Sequence, residues 1–333
     1  MSDLKLKVGC WNYDHARAFR DGTVKFDGVD AAFESGRFVS DIFERMVRQH
    51  AYDVSELGLT FYLRTLDLDD PPFIAIPVFP NRQFRHSAIF VNTSSGINKP
   101  QDLAGKTVGE LGTYGHDAGV WPKGILSDDY GVTPGQCRWI VGGTDWPMEP
   151  FGFIPFLHPA DVDVTPAPEG QTLGAMLEAG EIDALISAHV PKCVRNNSPR
   201  VARLFPDYES VERDYYRRTG IYPIMHTVVI RKDLLARHPG LARTIYRGFR
   251  DAKDVAMARY REGLREQHAD LMIPWFTPLF DKNRRLLPDD WWPYGIEANR
   301  NTIDTFLRYH FEQGLSKRRL TCEDIFVPEL LET

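Results

Sequence analysis

The chain has 333 residues, 43% of them hydrophobic and 26% charged, with a formal net charge of −6, and this composition predicts a globular protein of about two domains. Phosphate contacts need clustered Lys and Arg. Because the longest basic run is only Lys317-Arg318-Arg319, we expect no nucleic-acid partner. The sequence has neither a leader-like apolar segment at its start nor a run of membrane-spanning length, so we expect a cytoplasmic protein with no membrane partner.

Hydrophobic patterning predicts strands and a helix in the first part of the chain. Residues 4–11 alternate apolar and polar side chains, which favours a strand. Apolar residues fall on one helical stripe between positions 38 and 47. Further short strands are predicted at 29–33, 53–57 and 73–78. Strand, helix and strand in this order indicate the α/β fold class.

Two apolar segments rich in β-forming residues divide the rest of the chain. They cover residues 85–92 and 225–232, and each is entered through a histidine, His86 or His226. Residues 108–222 between them carry their own alternation of strands and helices and are long enough to bury a core. The chain is therefore predicted to leave one lobe and return to it.

The predicted division places residues 1–91 and 226–333 in lobe I and residues 92–225 in lobe II. Helices expected at 241–264 and 291–313, from their apolar stripes, would pack on lobe I. Two crossings between lobes produce a hinge with a cleft, and ligand sites favour such crevices. The histidine at each crossing is therefore expected to face the cleft.

Lobe II is predicted to contain its own strands and helices. We expect strands at 106–111 and 182–188, a helix that ends at Tyr130 and another helix at 171–179. The proline-rich stretch at 146–168 is the least regular part and is a candidate lid.

Five segments carry distinctive motifs: Asn12-Tyr13-Asp14-His15-Ala16-Arg17, Pro80-Asn81-Arg82-Gln83-Phe84-Arg85-His86-Ser87-Ala88-Ile89, Asp102-Leu103-Ala104-Gly105-Lys106-Thr107-Val108-Gly109, Gly180-Glu181-Ile182-Asp183-Ala184-Leu185-Ile186-Ser187-Ala188 and Trp292-Pro293-Tyr294-Gly295-Ile296-Glu297-Ala298-Asn299-Arg300. Together they span nearly the whole chain and resemble the 4,5-dihydroxyphthalate decarboxylase family. The resemblance implies a two-lobed, type II periplasmic-binding-protein-like fold and decarboxylation of a hydroxylated aromatic carboxylic acid. The substrate that the resemblance implies best is 4,5-dihydroxyphthalate, which would be converted to 3,4-dihydroxybenzoate and CO2.

Two segments depart from the family pattern. Residues 57–62 replace an expected Ser-x-Ser turn, and the loop at 112–117 contains an unexpected histidine. Both segments are expected near the cleft, so a relative that acts on another aromatic acid stays open. A solute-binding protein that captures an aromatic or carboxylate anion without transforming it is the alternative function, because fold and chemistry are separable.

Decarboxylation of a phenolic acid needs no redox cofactor when the ring carbon that bears the carboxylate is protonated first, so we expect no cofactor. The protein must supply a cation, a proton donor and a base. Arg85 is the candidate carboxylate ligand and Arg17 a second cation, although a surface role explains Arg17 equally well. His86 and His226 are the leading acid and base, and a hydrogen-bonded hinge role is the alternative for each.

The loop after the first predicted strand supplies three more candidates. His15 is a candidate catalytic residue, because clefts of α/β proteins open at the carboxyl ends of strands. Asp14 could orient an imidazole or form an Asx-turn. Tyr13 could stack on an aromatic ligand or pack in the core.

Further candidates for substrate binding depend mainly on the resemblance. Glu297 and Arg300 lie three residues apart on a predicted helix, and an exposed ion pair is the usual meaning of that spacing. His116 and Trp121 are candidate contacts from lobe II.

A metal site has little local support. The four cysteines are widely separated and lie in no metal-ligand spacing. The weaker alternative, that His15, His86, His116 and His226 converge around a divalent ion, stays open.

The sequence also leaves open whether the protein forms a homo-oligomer.

Overall fold

The computed structural model describes residues 4–154 and 158–333. The strands, in chain order, are Leu4–Gly9 (β1), Val29–Glu34 (β2), Val54–Gly58 (β3), Phe73–Ile76 (β4), Ile89–Asn92 (β5), Thr107–Leu111 (β6), Arg138–Gly142 (β7), Asp163–Pro166 (β8), Ala184–Ile186 (β9), Val201–Arg203 (β10) and His226–Arg231 (β11). They form two separate sheets, with orders β2-β1-β3-β11-β4 and β10-β5-β9-β6-β7-β8.

Helices of very different lengths connect or flank the strands. The α-helices are Arg17–Arg20 (α1), Val39–Gln49 (α2), Leu59–Thr65 (α3), Asp117–Tyr130 (α4), Leu173–Ala179 (α5), Lys192–Arg195 (α6), Tyr208–Thr219 (α7), Lys232–Arg237 (α8), Leu241–Gly263 (α9), Phe276–Arg284 (α10), Arg300–Glu312 (α11) and Cys322–Ile325 (α12). Short 3-10 turns cover Asp14–Ala16, His86–Ala88, Pro100–Leu103, Pro134–Gln136, Leu264–Glu266, Glu297–Asn299 and Pro328–Leu330. Among the described residues, no helix is both long and apolar enough to cross a membrane.

The first sheet is mixed in strand direction. Strand β1 runs parallel to β2 and β3, whereas β11 is antiparallel to both β3 and β4. Because β11 is an interior strand, its core residues Val228, Val229 and Ile230 are all fully buried, which explains the unbroken apolar run in its sequence.

The second sheet contains β6 parallel to β7 and β9, with β5 antiparallel to β9 and β10. The sheet pairing therefore places the first crossing before β5, a few residues earlier than the predicted start of lobe II. The second crossing follows β10 and ends at β11. The division into lobes by residue number stays a prediction.

The two crossings run side by side. Arg82 and Ile224 form an antiparallel bridge. Next to this bridge, Met225 N donates to Asn81 O over 2.9 Å and Gln83 N donates to Pro223 O over 3.1 Å. The connection between the two sheets is therefore a hydrogen-bonded pair of segments, and the predicted double crossing is confirmed.

The C-terminal helices contact both halves of the molecule. Helix α9 packs against α1, while α11 packs against α4. The predicted helix at 291–313 begins later than expected, at Arg300, because Pro293 cannot donate a backbone hydrogen bond and Gly295 has φ 89°. The predicted start of this helix is therefore wrong, and its end is confirmed.

The candidate lid at 146–168 divides into several parts. Residues 163–166 form β8 at the edge of the second sheet, and Trp146 to Phe153 contribute to a cavity wall. Residues 155–157 of the candidate lid lie outside the described residues.

Candidate active site

A cavity of about 770 Å³ lies beside the paired crossings. The first crossing contributes Asn81, Gln83 and Arg85 to its wall, and the return crossing contributes His226. Helix α2 closes one side, and the start of α4 with residues 146–153 closes the other. The cavity therefore lies where the two sheets are connected, as expected for a ligand site.

Arg85 brings a buried positive charge to the cavity. Its side chain is only 5% exposed, and burial lowers the pKa of its guanidinium to about 10, so the group stays charged at neutral pH. Its Nε donates weakly to the sulfur of Met225 over 3.1 Å. Within the described part of the chain, no carboxylate forms an ion pair with it within 4.0 Å. A buried cation without a bonded anion is suited to bind a carboxylate ligand.

His226 is paired with a buried carboxylate because of strand register. His226 lies opposite Gly58 in the β11–β3 ladder, so Glu56 is its diagonal neighbour on the same face of the sheet. The Nδ1 atom of His226 lies 2.6 Å from Oε1 of Glu56. Glu56 is 1% exposed, so the contact between the two side chains is buried. With Nδ1 engaged, Nε2 is the ring nitrogen available to a ligand.

Two further donors hold Glu56 in place. The hydroxyl of Tyr13 donates to Oε1 over 2.5 Å, and the backbone N–H of Trp11 donates to Oε2 over 3.0 Å. Burial and the adjacent Glu56 raise the pKa of the Tyr13 hydroxyl well above its ordinary value, so it remains a donor. Glu56 therefore accepts hydrogen bonds on both oxygens, and its orientation toward His226 is fixed.

Asp117 supplies a second buried carboxylate. Its Oδ1 accepts from Thr60 N over 2.7 Å, whereas Oδ2 is buried without a hydrogen-bond partner in the described structure. Burial raises the pKa of this carboxyl to about 6, against the opposing charges of His226 and Arg85. A Cβ atom at Gly58 would lie 2.3 Å from Oδ2, so the glycine in the departing segment 57–62 makes room for the carboxylate.

His116 lies beside Asp117 and lines the same cavity. Its Nδ1 accepts from Ala118 N over 3.1 Å, so the hydrogen of the neutral ring is on Nε2. Burial, and then the charge of Arg85, holds the pKa of His116 well below its ordinary value. His116 is therefore a neutral hydrogen-bond donor at the start of α4.

The structure places His86 away from this cavity. The residue is 2% exposed, its ring contacts the rings of Phe205 and Tyr215 edge-on, and neither ring nitrogen has a hydrogen-bond partner among the described residues. Burial lowers its pKa to about 4. The expectation that both crossing histidines face the cleft is corrected, because the 3-10 turn at His86–Ala88 directs only Arg85 toward it.

The Tyr13-Asp14-His15 motif lines a neighbouring cavity of about 360 Å³. His15 Nδ1 lies 3.0 Å from Asp14 Oδ1, and Asp14 also accepts from the hydroxyl of Tyr260. The ring of His15 stacks on Tyr13 with 5.0 Å between centroids. Only Tyr13 reaches the first site, through its bond to Glu56, so His15 and Asp14 are not brought together with Arg85.

The remaining candidates lie outside the cavity walls. Arg17 is exposed on α1, and Glu297 is exposed in a 3-10 turn. Arg300 forms a long surface ion pair with Glu323, 3.9 Å apart, and not with Glu297, the partner that its spacing suggested. Trp121 is fully buried, and its indole N–H donates to the backbone carbonyl of Ile224.

The histidines considered as metal ligands do not converge. His226 and His116 line the first cavity, His15 lines the neighbouring cavity, and His86 is buried elsewhere. Throughout residues 4–154 and 158–333, no group of three or more His, Cys, Asp or Glu side chains is arranged to hold a metal ion.

Sequence reasoning missed Glu56, Asp117 and His189. Glu56 is a charged residue within a strand that is buried throughout, and this could have marked it as functional. His189 lines the cavity, and its ring lies 5.4 Å from that of Trp146. Asp117 adjoins the unexpected histidine of the departing loop, but nothing local distinguishes it from a helix-capping residue.

Comparisons with known proteins identify two curated relatives, one of which covers the full chain. No protein-family model matches. A 4,5-dihydroxyphthalate decarboxylase of Comamonas testosteroni is 36% identical over 333 residues, covering 100% of this chain and 99% of the relative. A protein of the same name from Pseudomonas putida is 37% identical over 217 residues, covering 65% of this chain and 83% of the relative.

Solved structures show the fold. The alkanesulfonate-binding protein SsuA from Xanthomonas axonopodis pv. citri, bound to MOPS, has a TM-score of 0.54 at 11% identity, covering 98% of this chain and 99% of that chain. The periplasmic aliphatic sulphonate binding protein SsuA from Escherichia coli has a TM-score of 0.52 at 11% identity, covering 98% and 92%. The predicted periplasmic-binding-protein-like fold is confirmed, and the chain belongs to the 4,5-dihydroxyphthalate decarboxylase family.

Proposed function

We propose that this protein decarboxylates 4,5-dihydroxyphthalate to 3,4-dihydroxybenzoate and CO2. The full-length relative bears the name of that activity. The observation that carries the proposal is the buried guanidinium of Arg85, which shares one cavity with the Glu56–His226 pair and has no carboxylate of its own. A small aromatic dicarboxylate supplies the anion that this cation lacks.

The reaction needs one proton at the ring carbon that loses its carboxylate. Electron density from the hydroxyl para to that carbon moves into the ring as the new C–H bond forms. The C–C bond to the carboxylate then breaks, its electron pair restores the aromatic ring, and CO2 leaves. The net change is uptake of one proton and release of one CO2.

Arg85 is assigned to the carboxylate that remains on the product. Its charge and fixed fork geometry suit charge-assisted bonds to a carboxylate. Binding the retained group fixes which of the two carboxylates lies near the proton donor, so Arg85 positions the substrate without assisting the departure of CO2.

His226 is assigned as the general acid and Asp117 as the base. Glu56 holds His226 through Nδ1, which leaves Nε2 to give a proton to the ring carbon. Asp117 accepts the proton of the para hydroxyl through its unpartnered Oδ2 and returns it after CO2 has left. His116 donates a hydrogen bond from Nε2 to a substrate oxygen. These roles account for the three functions that the chemistry requires.

The direct test incubates chelator-treated protein with a panel of hydroxyphthalates and hydroxybenzoates while CO2 release and product formation are followed. We expect 4,5-dihydroxyphthalate to be consumed with one CO2 per product molecule. Absence of turnover on the whole panel would refute the proposed activity.

Variants separate binding from chemistry. Arg85→Gln is expected to raise KM by about 10- to 150-fold, because hydrogen bonds to charged groups contribute about 1.5–3 kcal/mol. His226→Gln is expected to lower kcat more than it raises KM. Small and equal effects at both positions would show that the substrate binds elsewhere.

Binding without turnover is the less favoured function. The sulfonate-binding neighbours share only the fold, whereas the full-length relative is named as an enzyme. Recovery of chemically unchanged ligand after tight binding would support this alternative. A cytoplasmic location stays a prediction.

A further inference from the structure

Two neighbouring residues at the start of α4 offer complementary polar atoms to a ligand. Both His116 and Asp117 line the first cavity. Oδ2 of Asp117 is an acceptor without a hydrogen-bond partner in the described structure. Nδ1 of His116 accepts from Ala118 N, so Nε2 carries the hydrogen of the neutral ring and is a donor. A ligand that satisfies both groups must carry a donor and an acceptor side by side, as two adjacent ring hydroxyls do.

The protein fixes both groups through their other polar atoms. Oδ1 of Asp117 accepts from Thr60 N over 2.7 Å, and a Cβ atom at Gly58 would lie only 2.3 Å from Oδ2. The His116 side chain caps α4 through its 3.1 Å bond from Ala118 N. One atom of each side chain is therefore used for positioning, and the other atom is left for the ligand.

The two groups differ in what they recognise. The carboxylate of Asp117 binds a hydroxyl through its hydrogen and can remove that hydrogen as a proton. Nε2 of His116 already carries a hydrogen, so it recognises only an oxygen lone pair. Burial, and then the charge of Arg85, holds the pKa of His116 well below its ordinary value, and the ring stays neutral. His116 therefore accepts a hydroxyl and an ether oxygen equally well.

The surroundings of His116 are aromatic. Its ring lies 5.6 Å from that of Phe61 and 6.0 Å from that of Phe151, between centroids. Phe151 lines the cavity and lies over Gly112, where a Cβ atom would be 2.4 Å from the phenyl ring. The cavity of about 770 Å³ is large within the range of roughly 300–1,000 Å³ that is common for small-molecule sites. A methyl group on the oxygen that His116 binds therefore has space beside apolar carbon.

We propose that this protein also decarboxylates 4-hydroxy-5-alkoxyphthalates, and that His116 and Asp117 determine which carboxylate leaves. The inference rests on the proposed function, because it assigns the two hydroxyl positions of that same site. Asp117 binds the free hydroxyl para to the departing carboxylate, and His116 donates to the alkoxy oxygen. In the reversed orientation an ether oxygen faces the Asp117 carboxylate, which then finds no donor. A site built to bind a hydroxyl hydrogen rejects a group that lacks it.

The reaction of 4-hydroxy-5-methoxyphthalate balances as the proposed reaction does. The ring carbon para to the free hydroxyl gains a proton, the C–C bond to its carboxylate breaks, and the electron pair restores the aromatic ring as CO2 leaves. One proton is taken up, and the ether bond stays intact. The product is 3-hydroxy-4-methoxybenzoate, whereas loss of the other carboxylate would give 4-hydroxy-3-methoxybenzoate.

Product analysis of the wild-type protein tests the orientation. Parallel incubations contain 4,5-dihydroxyphthalate, its monomethyl ether or its dimethyl ether, and chromatography separates the products. We expect 3-hydroxy-4-methoxybenzoate as the main product of the monomethyl ether and no turnover of the dimethyl ether. Formation of mainly 4-hydroxy-3-methoxybenzoate would overturn the inference, and so would inactivity on the monomethyl ether alone. Inactivity on 4,5-dihydroxyphthalate would overturn the proposed function as well.

Binding measurements test His116 without turnover. Calorimetry compares 3,4-dihydroxybenzoate with 3-hydroxybenzoate, which lacks the oxygen assigned to His116. We expect the wild type to bind the dihydroxy compound about 10-fold more tightly, as one neutral hydrogen bond allows. His116→Asn keeps a capping acceptor for α4 but loses the ring N–H, so it should bind the two compounds within about twofold of each other.

The matched control is His189→Asn, which changes another histidine of the cavity wall. We expect this variant to keep the wild-type ratio of the two affinities, and circular dichroism checks that both variants are folded. A wild-type ratio in His116→Asn would overturn the role of His116. Equal loss of the ratio in both variants would overturn it too.

Discussion

Removing the charge of Glu56 tests the catalytic arrangement most directly. In Glu56→Gln the side chain keeps its shape, but the three groups around it, Trp11 N, Tyr13 OH and His226 Nδ1, are donors in the present network. The amide NH2 must therefore face a donor, and the negative charge beside His226 is lost. Charge-assisted hydrogen bonds contribute about 1.5–3 kcal/mol, and each 1.36 kcal/mol changes a rate tenfold.

We therefore expect kcat of Glu56→Gln to fall by about 10- to 150-fold, with a smaller change in KM. Steady-state CO2 release over a range of substrate concentrations measures kcat and KM.

A matched control lies on the same strand. Ser55 is also fully buried in β3, and its hydroxyl donates to the backbone carbonyl of Glu56 over 2.9 Å. Successive side chains of a strand point to opposite faces, so Ser55→Ala should lower stability without a comparable loss of turnover. A Glu56→Gln enzyme with wild-type kcat would refute the role assigned to the pair.

Three further variants test other parts of the structure. Asp117→Asn should lower kcat at least about 100-fold. It should also remove the rise of activity as the pH increases through 6, because a base with a pKa of about 6 is active only when ionised. A variant whose activity still rises through pH 6 as in the wild type would contradict this role. Gly58→Ala places a Cβ atom 2.3 Å from Asp117 Oδ2 and should lower turnover. Gly135→Ala is the matched control, because an added Cβ atom there meets no other atom within 4 Å. Equal turnover in the two variants would argue against a fixed position of Asp117. His86→Leu should retain kcat within about threefold and resist acid better. The folded-state pKa of His86 is about 4, below its ordinary value of 6.5. The contribution of the neutral side chain to the free energy of unfolding is therefore complete above pH 6.5, and about 3 kcal/mol of this free energy is lost as the pH falls from there through 4. Urea unfolding at pH 7 and 4.5 measures this effect, and equal acid sensitivity of the two proteins would contradict it.

Local sequence patterns determined much of the fold. Alternation and helical periodicity predicted β1 to β4 and α2 near their observed positions, because these patterns follow directly from which faces are buried. The apolar run after His226 predicted a strand, and the structure places it in the interior of the first sheet. Position at a crossing also pointed to Arg85 and His226 as cavity residues, and both line the cavity.

Only the tertiary structure decided which groups meet. Glu56 and His226 are 170 positions apart, and their contact follows from the antiparallel register of β3 and β11, which no local pattern specifies. Likewise, a turn of a few residues directs Arg85 into the cavity and buries His86 elsewhere. Between Glu297 and Arg300, the side chain that packs into the interior is that of Asn299, which is 2% exposed and accepts a hydrogen bond from Arg82. Periodicity specifies which face of an element is buried, but the pairing of distant elements depends on the free energy of the whole packed chain.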